Sequence, residues 1–256
     1  MPLALGIVLP ALLVAAAASA QVPAPRHAVE FVGLGRTQVE SASESSITYG
    51  AGSSSLVSQW VSDFVNKAPS RRTGFLFTLS ARGEPLSQTG FTRALVTEVA
   101  FPALDSNSRD TARIVVSFRA ERTEPQEGGG LIAVPGRDYD ARMRRWPVSA
   151  FRLRIDGVDT SEVSRVEPLV FRQGPAQVPV YPRLAIRLPQ AAAAGFGGNA
   201  GPRSATLELL SADRARVLFT LRLDGLLPVR VDPPEAGARH ARAELTIAGA
   251  QLSFAP

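Results

Sequence analysis

The chain has 256 residues, of which 45% are hydrophobic, 20% charged and 7% aromatic, a composition that excludes disorder throughout and supplies a sizeable core. The formal charge of +5 is carried almost wholly by arginine, because Lys67 is the only lysine. There is no cysteine, which excludes disulfides, thiolate metal sites, thiol catalysis and a lipid-modified cysteine anchor.

The first charged side chain is Arg26, and Leu3 to Ala18 form an apolar run that ends in the small-x-small step Ala18-Ser19-Ala20. That pattern predicts a signal peptide over 1–20, cut before Gln21, and a periplasmic or secreted mature chain with no transmembrane segment. Past a Pro-rich lead, His27 to Tyr49 alternates weakly, as short strands and turns do. Leu56, Val57, Trp60, Val61, Phe64 and Val65 then recur at helical spacing, with Ser53 to Ser55 as N-cap candidates and Pro69 as terminator. A helix near 53–66 follows, with Trp60 at the centre of a stripe that packs on the first sheet.

From Phe75 the period is that of strands. Phe75–Leu79, a turn at Arg82 to Pro85, Phe91–Val99, a loop over Pro102–Asp110 and Ala112–Ala120 read as a three-strand meander. Glu124 to Gly130 and the arginine-rich run to Pro147 read as a linker, which divides the mature chain into units 21–124 and 148–256 around 125–147. In the second unit Phe151-Arg152-Leu153-Arg154-Ile155 alternates apolar and charged residues as a strand with one wet face, and Asp156-Gly157 supplies its turn. Further strands are expected at Ser164–Phe171, Leu184–Leu188, Thr206–Leu210, Val217–Leu223 and Ala243–Ala248. Leu79-Ser80-Ala81 recurs as Leu210-Ser211-Ala212 at an offset of 131, Phe91 as Phe219 at 128, and Ala112-Arg113 as Ala241-Arg242 at 129. A duplicated unit is therefore expected, its helix reduced to Ala191–Ala194 in the second copy.

The run from Phe151 to Val158, followed by Ser161-Glu162-Val163-Ser164, resembles the opening of contractile-phage tail tube proteins and of the haemolysin-coregulated tube protein of type VI secretion. The Trp-bearing helix, the Phe75–Leu79 strand, Gly83, Phe91–Phe101 and Ile114–Glu121 resemble the later part of the same unit. The Asp-Gly opening is visible in the second unit alone. The resemblance implies a mainly β protein made of two tandem tail-tube-like β-barrel or sandwich units, one helix in the first, and a tendency to form rings.

Motifs of catalysis and cofactor binding find no support. Gly195-Phe196-Gly197-Gly198-Asn199-Ala200 fits a dinucleotide string but follows alanines and runs into Gly201-Pro202, which reads as a loop. His27, in an N-terminus expected to fray, and His240, beside Arg239 and Arg242, read as ordinary histidines. Asp105 with Asp110, and Asp138 with Asp140, show the polarity of turns rather than a catalytic pair. Arg142, Arg144, Arg145, Arg152 and Arg154 form a cationic cluster suited to an anionic envelope component or a neighbouring subunit; few aromatics interleave, so nucleic acid is not expected. The sequence thus points to an exported, non-enzymatic structural or interaction protein without cofactor or metal. A trimer that closes a ring from two units per chain and a monomer both stay open. The alternative is a periplasmic or secreted β-sandwich module that binds an envelope polymer or a protein partner.

Overall fold

Alternating segments dominate the sequence, and strands dominate the structure: the protein is mainly β, with its strands in two sheets. The computed structural model describes residues 25–50, 55–126, 146–196, 201–234 and 239–255. The expected signal segment, most of the expected linker, and with it Asp138, Asp140, Arg142, Arg144 and Arg145, lie outside the described residues.

The first half contributes β1 (Arg26–Phe31), β2 (Gly35–Val39), β3 (Ser41–Ser43), β4 (Ser46–Tyr49), helix α1 (Ser55–Val65), β5 (Arg72–Leu79), β6 (Pro85–Phe101), β7 (Leu104–Asp105), β8 (Ile114–Arg119) and β9 (Arg122–Gln126). The second contributes β10 (Phe151–Ile155), β11 (Arg165–Val166), β12 (Leu169–Gln173), β13 (Pro179–Val180), β14 (Leu184–Pro189), the one-turn helix α2 (Gln190–Ala193), β15 (Arg203–Leu210), β16 (Val217–Asp232), β17 (His240–Thr246) and β18 (Gly249–Phe254). The first sheet runs β2-β1-β5-β6-β8-β4-β3, and β9 adds to β6; the second runs β10-β15-β16-β17-β14-β11-β7, and β18 adds to β16. In each sheet one long strand, β6 or β16, bends at bulges and serves two ladders, which curls the sheet toward a barrel.

The two halves follow one plan down to their irregularities. The β5–β6 register slips between Arg72 and Gly74 and between Thr78 and Leu79, and the β15–β16 register slips 131 residues later, between Arg203 and Ala205 and between Leu209 and Leu210. The β6–β8 ladder skips Thr97, and the β16–β17 ladder skips Val229. Gly33 (φ 77°) after β1 matches Gly157 (φ 71°) after β10, and left-handed Arg93 (φ 51°) matches Gly225 (φ 65°). Gly33 stands where the second half has its Asp-Gly turn, behind Val32 instead of an aspartate. The turn closed by Ser211 and Arg216 is one residue longer than that closed by Ser80 and Glu84, so Phe91 holds the place of Leu223 rather than of Phe219: Phe91 faces Gly74 and Leu223 faces Ala205.

Two strands cross between the halves. Pro168 interrupts the run from Ser164 to Phe171, and the two pieces part: β11 pairs with β14 and β7, while β12 pairs with β6 from Leu169 opposite Phe101 to Arg172 opposite Glu98. The segment Pro102–Asp110, expected as a loop, supplies β7 to the second sheet. Buried side chains of both halves form one continuous cluster. Trp60, fully buried, packs on Phe31 (ring centroids 5.3 Å apart) and Phe118 (5.6 Å) of the first sheet, and its indole N–H donates to the Ser70 carbonyl at 2.8 Å. Phe219 of the second sheet meets Phe101 and Trp146, each at 5.4 Å. Helix α1 also grips β18: Asn66 accepts from the Leu252 amide (2.7 Å), and Ser62 donates to the Leu252 carbonyl (2.8 Å).

Candidate interaction surface

The wet-faced strand read from the sequence is β10, with Leu153 and Ile155 buried and Arg152 and Arg154 exposed. Its hydrogen bonds follow from the antiparallel alternation. Leu210 donates to the Ala150 carbonyl and Asp156 to the Ser204 carbonyl, so the hydrogen-bonded pairs with β15 are those of even-numbered β10 residues. The backbone groups of Phe151, Leu153 and Ile155 therefore point to the opposite edge.

In the first half the matching groups, on His27, Val29 and Phe31, are taken up by β2 opposite Val39, Thr37 and Gly35. Among the described residues of the second half no strand takes that place; the Ile155 carbonyl accepts from the Val158 amide (3.1 Å) in a single bridge, which leaves Phe151 and Leu153 without a partner strand on that side. The residues after Gly157 are Asp159-Thr160-Ser161, whose side chains bond locally and compete with a ladder. Asp159 accepts from the Ser161 amide (3.0 Å) and hydroxyl (2.7 Å), bonds that hold its carboxyl below the usual carboxylate range. The Thr160 hydroxyl donates to the Leu153 carbonyl at 2.6 Å. Beside the bare edge lies an open groove of about 600 Å³, lined by Phe151, Leu153, Arg152, Arg154, Asp159, Thr160 and Arg214 among others.

Electrostatically the groove is a cationic strip over an anchored base. Arg152 bonds Glu208 through Nε at 2.6 Å, Arg154 stands 3.9 Å from the same carboxylate, and Arg214 donates to the Ser149 carbonyl at 3.1 Å. Glu208 is thus shared by two guanidiniums, and Arg154, with 61% of its side chain exposed, keeps most of its donors for an incoming group. Arg152 and Arg154 are brought together here; Arg214 was invisible in the sequence, since it reaches the strip from the tip of the β15–β16 turn. Setting Gly33 against Gly157 gives one sequence cue to the open edge: Asp159-Thr160-Ser161 is a run of side chains that bond the local backbone, whereas Gly35 to Val39 holds only Thr37 of that kind.

The remaining candidates lie elsewhere. His27 is not frayed: it sits inside β1 between Val39 and Thr78, and burial lowers the pKa of its imidazole. His240 faces Pro189 across the β14–β17 ladder. Among the described residues neither imidazole has a carboxylate partner, and no three His, Asp or Glu side chains converge as a metal-binding group. Asp105 is engaged by Arg165 at 2.9 Å, and Asp110 accepts from the Ser108 hydroxyl at 2.9 Å. The groove's chemistry is that of an unpaired strand edge flanked by guanidiniums: main-chain pairing along Phe151 and Leu153, and charge-assisted bonds to carboxylates alongside. No helix among the described residues is long and apolar enough to cross a membrane. Compared with known proteins, the chain matches no family model and no curated sequence.

Proposed function

We propose that this chain is an exported, non-enzymatic structural or interaction protein, built from two copies of a tail-tube-like β unit, that binds an extended acidic segment along β10. The observation that carries the reading is the unequal treatment of equivalent edges: β1 is covered by β2, whereas among the described residues β10 has no partner strand on that side, only local bonds to Leu153 and Ile155, and is bordered by Arg152, Arg154 and Arg214. An edge left unpaired invites aggregation unless it is blunted or used, and here it is flanked by groups that select an anionic strand. In the sequence Arg142, Arg144 and Arg145, which precede β10, carry charge of the same sign.

The test is a titration of the chain with an extended glutamate-rich peptide and, separately, with an acidic polysaccharide, followed by amide shifts. Peptide binding that shifts Phe151 and Leu153 and is lost in the Arg152→Glu/Arg154→Glu variant supports strand docking. Binding of the polysaccharide alone, with unmoved Phe151 and Leu153 amides, replaces it with the alternative of a sandwich module for an envelope polymer, which the guanidinium strip favours. Light scattering at tens of micromolar decides the ring: a mass of one chain, unchanged on concentration, removes the trimer.

A further inference from the structure

A second edge differs between the halves, at the far end of the long strands. The matched bulges put Leu95, Glu98 and Val99 of β6 in register with Leu227, Arg230 and Val231 of β16. On β6, β8 pairs one side from Leu95 to Ala100, and β12 pairs the other from Glu98 to Phe101. On β16 it is paired by β17 alone among the described residues. Burial follows the pairing: Val99, opposite Phe171 of β12, is 0% exposed, whereas its counterpart Val231 is 40% exposed, with Val229 and Leu227 before it at 47% and 43%.

The cover on β6 is an arm, the β12–β13 hairpin, which interrupts the second half between β11 and β14. Between the equivalent β3 and β4 there is only Glu44-Ser45, so the first half has no arm to offer. The charges specify what would fit in its place. On the covered edge Arg172 of the arm bonds Glu98 of β6 at 2.9 Å. At the matching place β16 carries Arg230, whose partner among the described residues is its own neighbour Asp232. The arm of a second copy would set Arg172 opposite Arg230, and like charges directly across a ladder destabilise it.

We propose that Leu227–Asp232 is a docking edge for an antiparallel strand of a different protein that carries a carboxylate opposite Arg230 and apolar residues on either side of it. Val231, opposite Ala243, supplies the apolar contact that Val99 makes opposite Phe171 on the covered edge, and exposed Val229 in the bulge and Leu227 beyond it extend the apolar surface. Pro233 and Pro234, which lack amide donors, end the pairing and limit the bound strand to about five residues.

The probes are two labelled peptides that copy residues 167–182, one unchanged and one with Arg172→Glu, titrated into the full chain by fluorescence anisotropy, with amide shifts to place them. The Arg172→Glu peptide is expected to bind about tenfold more tightly than the unchanged one, with shifts over Val229–Asp232, and Arg230→Glu in the chain is expected to invert that order. Arg230 is exposed, so its reversal leaves the core intact, which the unchanged amide spectrum of the rest of the chain checks. Tighter binding of the unchanged peptide to β16 would give the edge to a second copy and overturn the proposal. So would the binding of neither peptide, shifts confined to β6 or β10, or an order of affinity that Arg230→Glu leaves as it was.

Discussion

The two halves of this molecule share strand order, bulge positions and left-handed turns, yet treat their edges in opposite ways. In the first, β2 covers β1 and the β12 arm covers the end of β6; in the second, no strand among the described residues pairs with the outer edge of β10 or with the free side of the end of β16. Ladders and bulges serve the interior, where a slip of one residue would turn every buried side chain to water, so they persist. Edges carry no such constraint, and it is at the edges that the second half has become different.

The comparison breaks most visibly in the helices. Trp60 anchors the first half through Phe31 and Phe118, and among the described residues the second half has in the corresponding position only the single turn of α2 and the 3-10 turn Ala194–Phe196. Trp60→Ala is expected to cost about 3 to 5 kcal/mol in denaturant melts; a loss under about 1 kcal/mol would make the helix peripheral. Next comes a matched pair within the ladders. A Cβ on Gly74 would stand 1.9 Å from the Glu30 carbonyl oxygen, while its counterpart Ala205 carries a Cβ in place. Gly74→Ala is therefore expected to cost about 1 to 3 kcal/mol and Ala205→Gly about 0.5 to 1 kcal/mol, and equal costs would mean that the two positions are not equivalent.

On the open edge the expectation is a change in binding with little change in stability. Arg154→Glu should leave the melting midpoint within about 0.5 kcal/mol of the parent while it weakens an acidic strand, because the side chain is exposed and its link to Glu208 is long. The smallest effect concerns the crossing strand β7. The Asn107 amide, and with it the Arg165 guanidinium, hold the Asp105 carboxyl below its ordinary 3.8. A folded-state pKa below the unfolded one contributes stability above the unfolded value, and that contribution disappears as pH falls through the folded value. Asp105→Asn should accordingly flatten part of the loss of stability below about pH 4, and acid melts of parent and variant that fall in parallel would remove the effect.

Much of the interior was legible. The alternation of Phe151 to Ile155 fixed which β10 side chains are buried, and the spacing of Leu56 to Val65 marked the helix and its tryptophan. The repeated Leu-Ser-Ala step lies at the same offset as the paired bulges of β5 and β15. Periodicity reports a residue's own burial, and that is a local property of the chain. The partner of a strand is not local. Nothing in Leu169 to Gln173 says that it joins β6 instead of β14, and nothing in Leu104-Asp105 says that it pairs at all; backbone hydrogen bonds are chemically alike in every strand, so their choice waits for the strands to be brought together. Sequence by itself determined the buried faces, the helix and the glycine turns, while tertiary structure alone decided which edges were covered and which, like β10 and the end of β16, have no partner strand among the described residues.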